Sequence, residues 1–270
     1  MTKRGAEPFH IRSVEADPQT GSIKLHYGFA GQTPFVERIS LPPREATGPL
    51  NGVTAAAFHD AARLLLLMAG TSYYKSQAPS TVVVEVPTTL SERALVTALF
   101  DHGLREFAYT NDLEPPLVTT FEWSGEPVNS GVPPQESIEI GTPLVPFGGG
   151  KDSTAVLSLL PEARPMTVNQ TSTHAGVASA LGHDLIDVRR SIDNVAELTR
   201  PDRLNGHIPI TAIVSAISVT LAVRDGYSSV VLANEAAASE PTLVWNGSAV
   251  NHQWSKGETF EALFDRALVD

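Results

Sequence analysis

Three consecutive glycines run into a charged and hydroxylic segment at Gly148-Gly149-Gly150-Lys151-Asp152-Ser153-Thr154, and no other stretch is better suited to hold phosphate. Glycine lets a backbone approach a phosphate closely, and the first amides of a helix, left without intrahelical partners, favour negative charge. Asp152 can hold a magnesium ion or cap the helix, while Ser153 and Thr154 can donate to phosphate oxygens. The spacing is neither Gly-x4-Gly-Lys-Ser/Thr nor Gly-x-Gly-x-x-Gly, so neither common nucleotide fingerprint applies. A glycine-rich turn with an ordinary helix cap is the plain alternative.

Four further clusters carry polar chemistry. Asn205-Gly206-His207-Ile208-Pro209 stands just before a long apolar segment, where proline suits a first helical turn and His207 can bind a ligand or move a proton. Asn234-Glu235 with Ser239-Glu240 follows an apolar run, and Glu235 can hold magnesium or take a proton; two glutamates in a loop are more often simply solvated. Asn251-His252-Gln253-Trp254-Ser255-Lys256 offers donors suited to a polar, anionic ligand, or a cap for the helix that follows. Tyr73-Tyr74-Lys75 is the weakest cluster, since tyrosines there are usually packing residues.

The elements that must position these groups fall into two parts, 1–136 and 137–270. Residues 9–14, 22–29 and 35–41 alternate and predict a small antiparallel meander. A helix is expected over 54–69, opened by Thr54 and stopped by Gly70, then a strand over 80–86 and a helix over 91–102. Residues 110–136, rich in Pro, Glu, Asn, Ser and Gly, read as a long connection. Beyond it come strand 144–147, helix 153–160, strand 166–169, helix 174–182, strand 184–188, a helix near 192–199, a long helix 209–224 and strand 229–233. That alternation predicts an α/β fold with a doubly wound, mainly parallel sheet, preceded by an N-terminal α+β region. Ligands in such sheets lie beyond the carboxyl ends of the strands, so segments 148–154, 169–175 and 233–240 should converge on one pocket.

Composition narrows the function classes. The chain has 270 residues, a formal net charge of −11 and no cysteine. Acidity disfavours nucleic-acid binding, which needs clustered Lys and Arg. Without cysteine the chain has no disulfide, thiolate zinc site or cysteine nucleophile. The N-terminus turns polar without an apolar signal core, and the apolar stretch from Pro209 to Val223 is shorter than the about 20 residues of a bilayer span. A cytoplasmic protein without membrane insertion is expected; the sequence leaves its oligomeric state open.

The glycine turn resembles the Ser-Gly-Gly-x-Asp-Ser loop of the ATP pyrophosphatase (PP-loop) superfamily, with Gly148 in place of the first serine. The ordered set is more specific. Gly148 to Ser153, Asn205-Gly-His-Ile-Pro-Ile-Thr211, Asn234-Glu235 with Ser239-Glu240, Asn251 to Lys256, and Gly70-Thr-Ser-Tyr-Tyr-Lys75 together resemble the UDP-N-acetylmuramoyl-L-alanyl-L-glutamate epimerases. The resemblance runs from about residue 60 to the end. It implies a PP-loop fold, ATP and Mg2+ as cofactors, and a UDP-muramoyl dipeptide as small-molecule substrate in peptidoglycan precursor synthesis. The implied reaction converts the terminal L-glutamate to D-glutamate through an acyl adenylate, releasing AMP and diphosphate. Adenylation removes a carboxylate charge, so that a base can take the α-proton and return can occur from the other face.

The resemblance assigns Gly148, Gly149, Gly150, Lys151, Asp152, Ser153 and Thr154 to ATP, with Asp152 and Glu235 as magnesium ligands. Asn205, Asn234, Asn251, Tyr73, Tyr74 and Lys75 become candidate substrate ligands. For the base, His252 ranks first, then Lys256, Glu235 and His207, because histidine exchanges protons near neutral pH without a shifted pKa. Two alternatives stay open: an ammonia-dependent, carboxylate-adenylating amidase of NAD-synthetase type, and a non-catalytic nucleotide-binding fragment. Members of the resembled family are longer, which implies a C-terminally shortened member. A helix over 258–269 should then bare an apolar face of Phe260, Leu263, Phe264 and Leu268.

Overall fold

A computed structural model describes residues 4–44, 50–129 and 141–270. The expected boundary between 136 and 137 and the end of the 110–136 connection lie outside the described residues. Strands β1 (Phe9–Asp17), β2 (Ser22–Phe29) and β3 (Phe35–Ser40) form the expected antiparallel meander. Alternation puts Phe9, Ile11, Ile23, Leu25, Tyr27, Phe35 and Ile39 on one buried face.

Helix α1 (Gly52–Ala69) is capped by Asn51, whose side chain accepts from the Thr54 amide, so Thr54 lies inside the first turn rather than opening it. Nor does Gly70 stop the helix in a left-handed cap. It is itself helical, at φ −53° and ψ −29°, and leads into the single turn α2 (Thr71–Tyr74). Its small size serves packing: a Cβ there would meet Ile11 Cδ1 at 3.3 Å and Tyr27 Cε1 at 3.4 Å. Residues 52–74 are long and apolar enough to cross a bilayer, but residues 64–74 are all buried in the fold, where this helix packs on the sheet and on the helix over 210–225.

Strand β4 (Thr81–Val84) and helix α3 (Leu90–Asp101) follow, the helix opened by a capping box of Thr89 and Glu92. Two elements occupy what the sequence presents as connection. Helix α4 (Arg105–Thr110) extends the helical region, and β5 (Thr120–Trp123) pairs parallel with β4 at the sheet edge.

The second part follows the βα alternation: β6 (Pro143–Pro146), α5 (Lys151–Leu159), β7 (Arg164–Val168), α6 (Ser172–Ala180), β8 (Ile186–Ile192), α7 (Val195–Leu198), α8 (Ile210–Asp225) and β9 (Ser229–Val230). The helix expected near 192–199 shrinks to one turn, because β8 continues to Ile192 while pairing antiparallel with β3. That pairing joins both parts into one nine-stranded α/β sheet, ordered β5-β4-β1-β2-β3-β8-β7-β6-β9. Strands β8, β7, β6 and β9 are mutually parallel. Helices cover both faces there. Val145 and Phe147 pack with Leu157 of α5 and Ala178 of α6, whereas Leu144 and Met166 belong to the main core with Ala212, Ile213 and Ile217 of α8.

A hairpin of β10 (Leu243–Trp245) and β11 (Ser248–Val250) leads to helix α9 (Glu258–Val269). The apolar face of α9 is not bare as expected. Phe260 and Phe264 are buried, the helix packs on α3, and Trp254 stands edge-on to Phe260 at 5.6 Å. Leu268 keeps 43% of its surface exposed.

Candidate active site

The carboxyl ends of β6, β7 and β9 open onto a cleft of about 520 Å3, closed on one side by α8. Its walls include Gly148, Gly150, Asp152 and Ser153 from the glycine turn, Thr167, Asn169 and His174 from the β7–α6 region, and Ala233 and Asn234 after β9. Arg190 of β8, Thr211 of α8 and Lys256 also line it. Segments 148–154 and 169–175 thus meet at the cleft as the topology of parallel strands requires, while of 233–240 only Ala233 and Asn234 reach it.

The turn depends on its glycines. Gly149 takes φ +71°, and a Cβ there would meet His174 Cδ2 at 3.3 Å. Gly148 and Gly150 face open space, with nothing within 4 Å of where a Cβ would stand, so the backbone is accessible where a side chain would intrude. Gly150 is the N-cap of α5 and supplies no side-chain cap, so Asp152 lies in the first turn and does not cap it. Ser153 Oγ donates to Gly150 O at 3.2 Å, and Thr154 N makes the first helical bond to the same carbonyl at 3.1 Å. Lys151 projects into solvent, 3.8 Å from Asp152 Oδ1.

Ahead of α8 a second polar group forms. Lys75 Nζ donates to Asn205 Oδ1 at 2.8 Å and to Gly206 O at 3.3 Å, bringing together two candidates 130 residues apart. Partial burial lowers the pKa of Lys75. His207 and His252 meet edge to face with ring centroids 6.2 Å apart, and His252 Nδ1 lies 2.8 Å from Thr242 Oγ1. Three other candidates serve the fold. Tyr73 and Tyr74 are fully buried, which keeps both from touching a substrate; Tyr73 stacks on Tyr27 at 4.7 Å and Tyr74 donates to Pro79 O at 2.8 Å. Asn251 spends its side chain on Ala238 O at 2.7 Å and on the Gln253 amide at 2.8 Å. Glu235 is exposed and outside the cleft wall. Among the described residues no three His, Cys, Asp or Glu side chains gather as a metal-binding group.

Arg190 is the main group the sequence reading passed over. Its Nε donates to Glu37 Oε1 at 2.8 Å, and its Nη2 donates to Glu37 Oε2 at 3.1 Å and to Ser72 Oγ at 2.8 Å. Asn169, left-handed at φ +56°, clasps the Arg190 backbone with bonds of 2.8 and 2.9 Å. Burial works against the guanidinium charge, but Glu37 and the nearby tyrosines outweigh it and raise the pKa. Tyr73 is pushed in the same direction, by burial first and by the Glu37 carboxylate second, so its phenol stays protonated. A sequence signal existed: Phe35-Val36-Glu37-Arg38-Ile39 places a lone carboxylate in an otherwise apolar stripe, which demands a buried cation.

An open α/β sheet with a glycine turn at the carboxyl ends of its parallel strands places this chain in the doubly wound α/β class. The sequence profile of the MurL N-terminal domain matches residues 1–270, and this chain belongs to that family. Three similar proteins carry the name UDP-N-acetyl-alpha-D-muramoyl-L-alanyl-L-glutamate epimerase. The one from Micromonospora sp. is 39% identical over 99% of this chain and 61% of its own length. That from Salinispora tropica is 38% identical over 99% and 59%, and that from Xanthomonas oryzae pv. oryzae 35% identical over 97% and 58%. The chain therefore spans about three fifths of the length of these relatives. No solved structure matches it.

Proposed function

We propose that this chain is the ATP-binding, PP-loop part of an enzyme that epimerises the terminal L-glutamate of UDP-N-acetylmuramoyl-L-alanyl-L-glutamate to D-glutamate in peptidoglycan precursor synthesis. The observation that carries the reading is the uncapped amino terminus of α5, reached through three glycines and opening into the cleft beside Asp152. Such a terminus suits a phosphate chain. The names of the relatives supply the substrate.

In this reading the amides at the start of α5, with Ser153, hold the phosphates of ATP. Asp152 offers a hard oxygen ligand for Mg2+, which would neutralise phosphate charge; Glu235 is the second candidate ligand. Apolar side chains of α8, among them Ile213, Val214 and Ile217, exclude water from one side of the cleft. The substrate carboxylate is activated as an acyl adenylate, with diphosphate leaving, and its α-proton becomes removable. Lys256 stands in the cleft wall, while the His207–His252 pair and the Lys75–Asn205 pair occupy the region before α8 as proton-transfer and substrate groups.

Product analysis tests this. With ATP, Mg2+ and the UDP-muramoyl dipeptide, AMP, diphosphate and a D-glutamyl product are expected, without need of ammonia. An ammonia-dependent amide would replace this reading with the amidase. A chain that binds ATP yet forms no AMP would reduce it to a nucleotide-binding fragment.

A further inference from the structure

Arg190 has more order than the fold requires. The Glu37 carboxylate has no exposed surface, and the Arg190 side chain is 9% exposed. A buried ion pair contributes little net stability over an apolar pair of similar volume, because desolvating two charges offsets their attraction. What such a pair does provide is a guanidinium held in one orientation. Here Glu37 and Ser72 take the Nε–H and both Nη2 N–H groups, and Asn169 fixes the backbone on both sides of the peptide.

That leaves the two N–H groups on Nη1. No hydrogen bond engages them among the described residues, yet Nη1 is not among the buried unpaired atoms, whereas Arg224 Nη1 is. Arg190 also forms part of the cleft wall. Its open edge therefore gives onto the cleft. Strand β8 stands two places from β6 in the sheet, and two strand spacings come to about 10 Å. An anion at Arg190 consequently belongs to a different part of the ligand from one seated on the α5 terminus.

We propose that Arg190 is an oxyanion-binding residue of this cleft, receiving through Nη1 a phosphate or carboxylate of the bound substrate while Glu37 and Ser72 hold it in place. The inference rests on the cleft being the substrate site of the proposed function. Planar, preorganised donors of this kind match both oxyanions. The two sources differ in consequence. A terminal phosphate at Arg190 makes it a grip on the diphosphate leaving group, whereas a carboxylate makes it a specificity residue for the acidic dipeptide.

Calorimetric titration of the 270-residue chain with ATP, AMP, inorganic diphosphate and the UDP-muramoyl dipeptide separates them. Arg190→Gln alone strands the Glu37 charge, so the double variant Glu37→Gln/Arg190→Gln, which carries no buried charge at the pair, is titrated beside it. At least about tenfold weaker binding of ATP and diphosphate, with AMP unchanged, assigns the phosphate. The same loss confined to the dipeptide, with binding of UDP itself unchanged, assigns the carboxylate. A double variant that stays folded and binds all four probes within twofold of the parent overturns the proposal. If the parent binds diphosphate through Arg190 but no nucleotide, the ATP reading falls and the oxyanion site stands. A parent that binds none of the four ends both.

Discussion

Glu37 and Arg190, 153 residues apart, meet through two parallel hydrogen bonds of 2.8 and 3.1 Å and so fasten the antiparallel meander to the wall of the cleft. The pair stands where β3 joins β8, the strand contact that unites the two parts of the sheet. Removing one member leaves a buried charge without its partner. Glu37→Ala should therefore cost about 3–5 kcal/mol, while Glu37→Leu with Arg190→Met should come close to the parent. Urea denaturation midpoints decide it. A double variant as unstable as the single one would mean that packing, rather than stranded charge, governs this joint.

The glycine turn allows binding to be separated from folding. Alanine at 148 or 150 meets no neighbour within 4 Å, so both variants should melt near the parent temperature. If the turn holds ATP as proposed, each methyl group intrudes on the ligand, and the thermal stabilisation by ATP and Mg2+ should fall. Gly149→Ala differs, since φ +71° costs an L-residue about 1–2 kcal/mol in addition to the close approach of His174. Asp152→Ala should leave melting unchanged and abolish the ATP–Mg2+ shift, which for the parent at a hundredfold excess over Kd is about 2.7 kcal/mol. Undiminished stabilisation of the Asp152 variant would remove the turn from the nucleotide site.

Much of this architecture was legible because it rests on local pattern. The meander alternates with period two, and the βα succession in the second part repeats strand, turn and helix at regular spacing. Convergence of segments 148–154 and 169–175 followed from the topology of parallel strands alone. What escaped depended on contacts between distant segments. Strand β5 is four residues in a proline-rich stretch, and it is a strand only because β4 offers an edge. The β3–β8 pairing carried β8 past its expected end and removed most of the following helix. The β10–β11 hairpin had a visible signal that went unused: Asn246-Gly247, both at positive φ, is the preferred two-residue turn. In the site, the glycine turn was recoverable from spacing. The burial of Tyr73 and Tyr74 was not, because residue type cannot distinguish a tyrosine that lines a pocket from one beneath it.

Glu92 gives stability a pH dependence of defined sign. Burial raises its pKa above 4.5, with Arg63 and the Thr89 amide opposing the shift. A carboxyl whose folded pKa exceeds its unfolded value favours folding in the protonated form. That contribution is fully present below the unfolded pKa and is lost as pH rises through the folded one. Glu92→Gln keeps the capping-box geometry without the ionisation. The melting temperature of the Gln variant relative to the parent should therefore increase as pH rises from below 4.5 towards neutrality. A constant difference across that range would show that Arg63, 3.1 Å away, compensates the burial of Glu92 in full.

The proton-transfer base is the last question the geometry addresses. His252 is exposed, bonded through Nδ1 to Thr242 and set edge-on to His207, so its Nε2 remains to exchange a proton. Lys256 stands in the cleft wall, whereas His252, His207 and Glu235 do not. The expected order, resting on residue type, is His252, then Lys256, Glu235 and His207. Epimerisation through an enolate must exchange the glutamate α-hydrogen with solvent, whereas amidation need not. In deuterated water with ATP and Mg2+, mass spectrometry of the UDP-muramoyl dipeptide should find deuterium at the α-position of the D-glutamyl product. His252→Ala should stop that exchange while AMP-forming activation continues. Normal exchange in the His252 variant, with loss in Lys256→Ala, would pass the role to the lysine; loss of AMP formation in either variant would place that residue in activation instead.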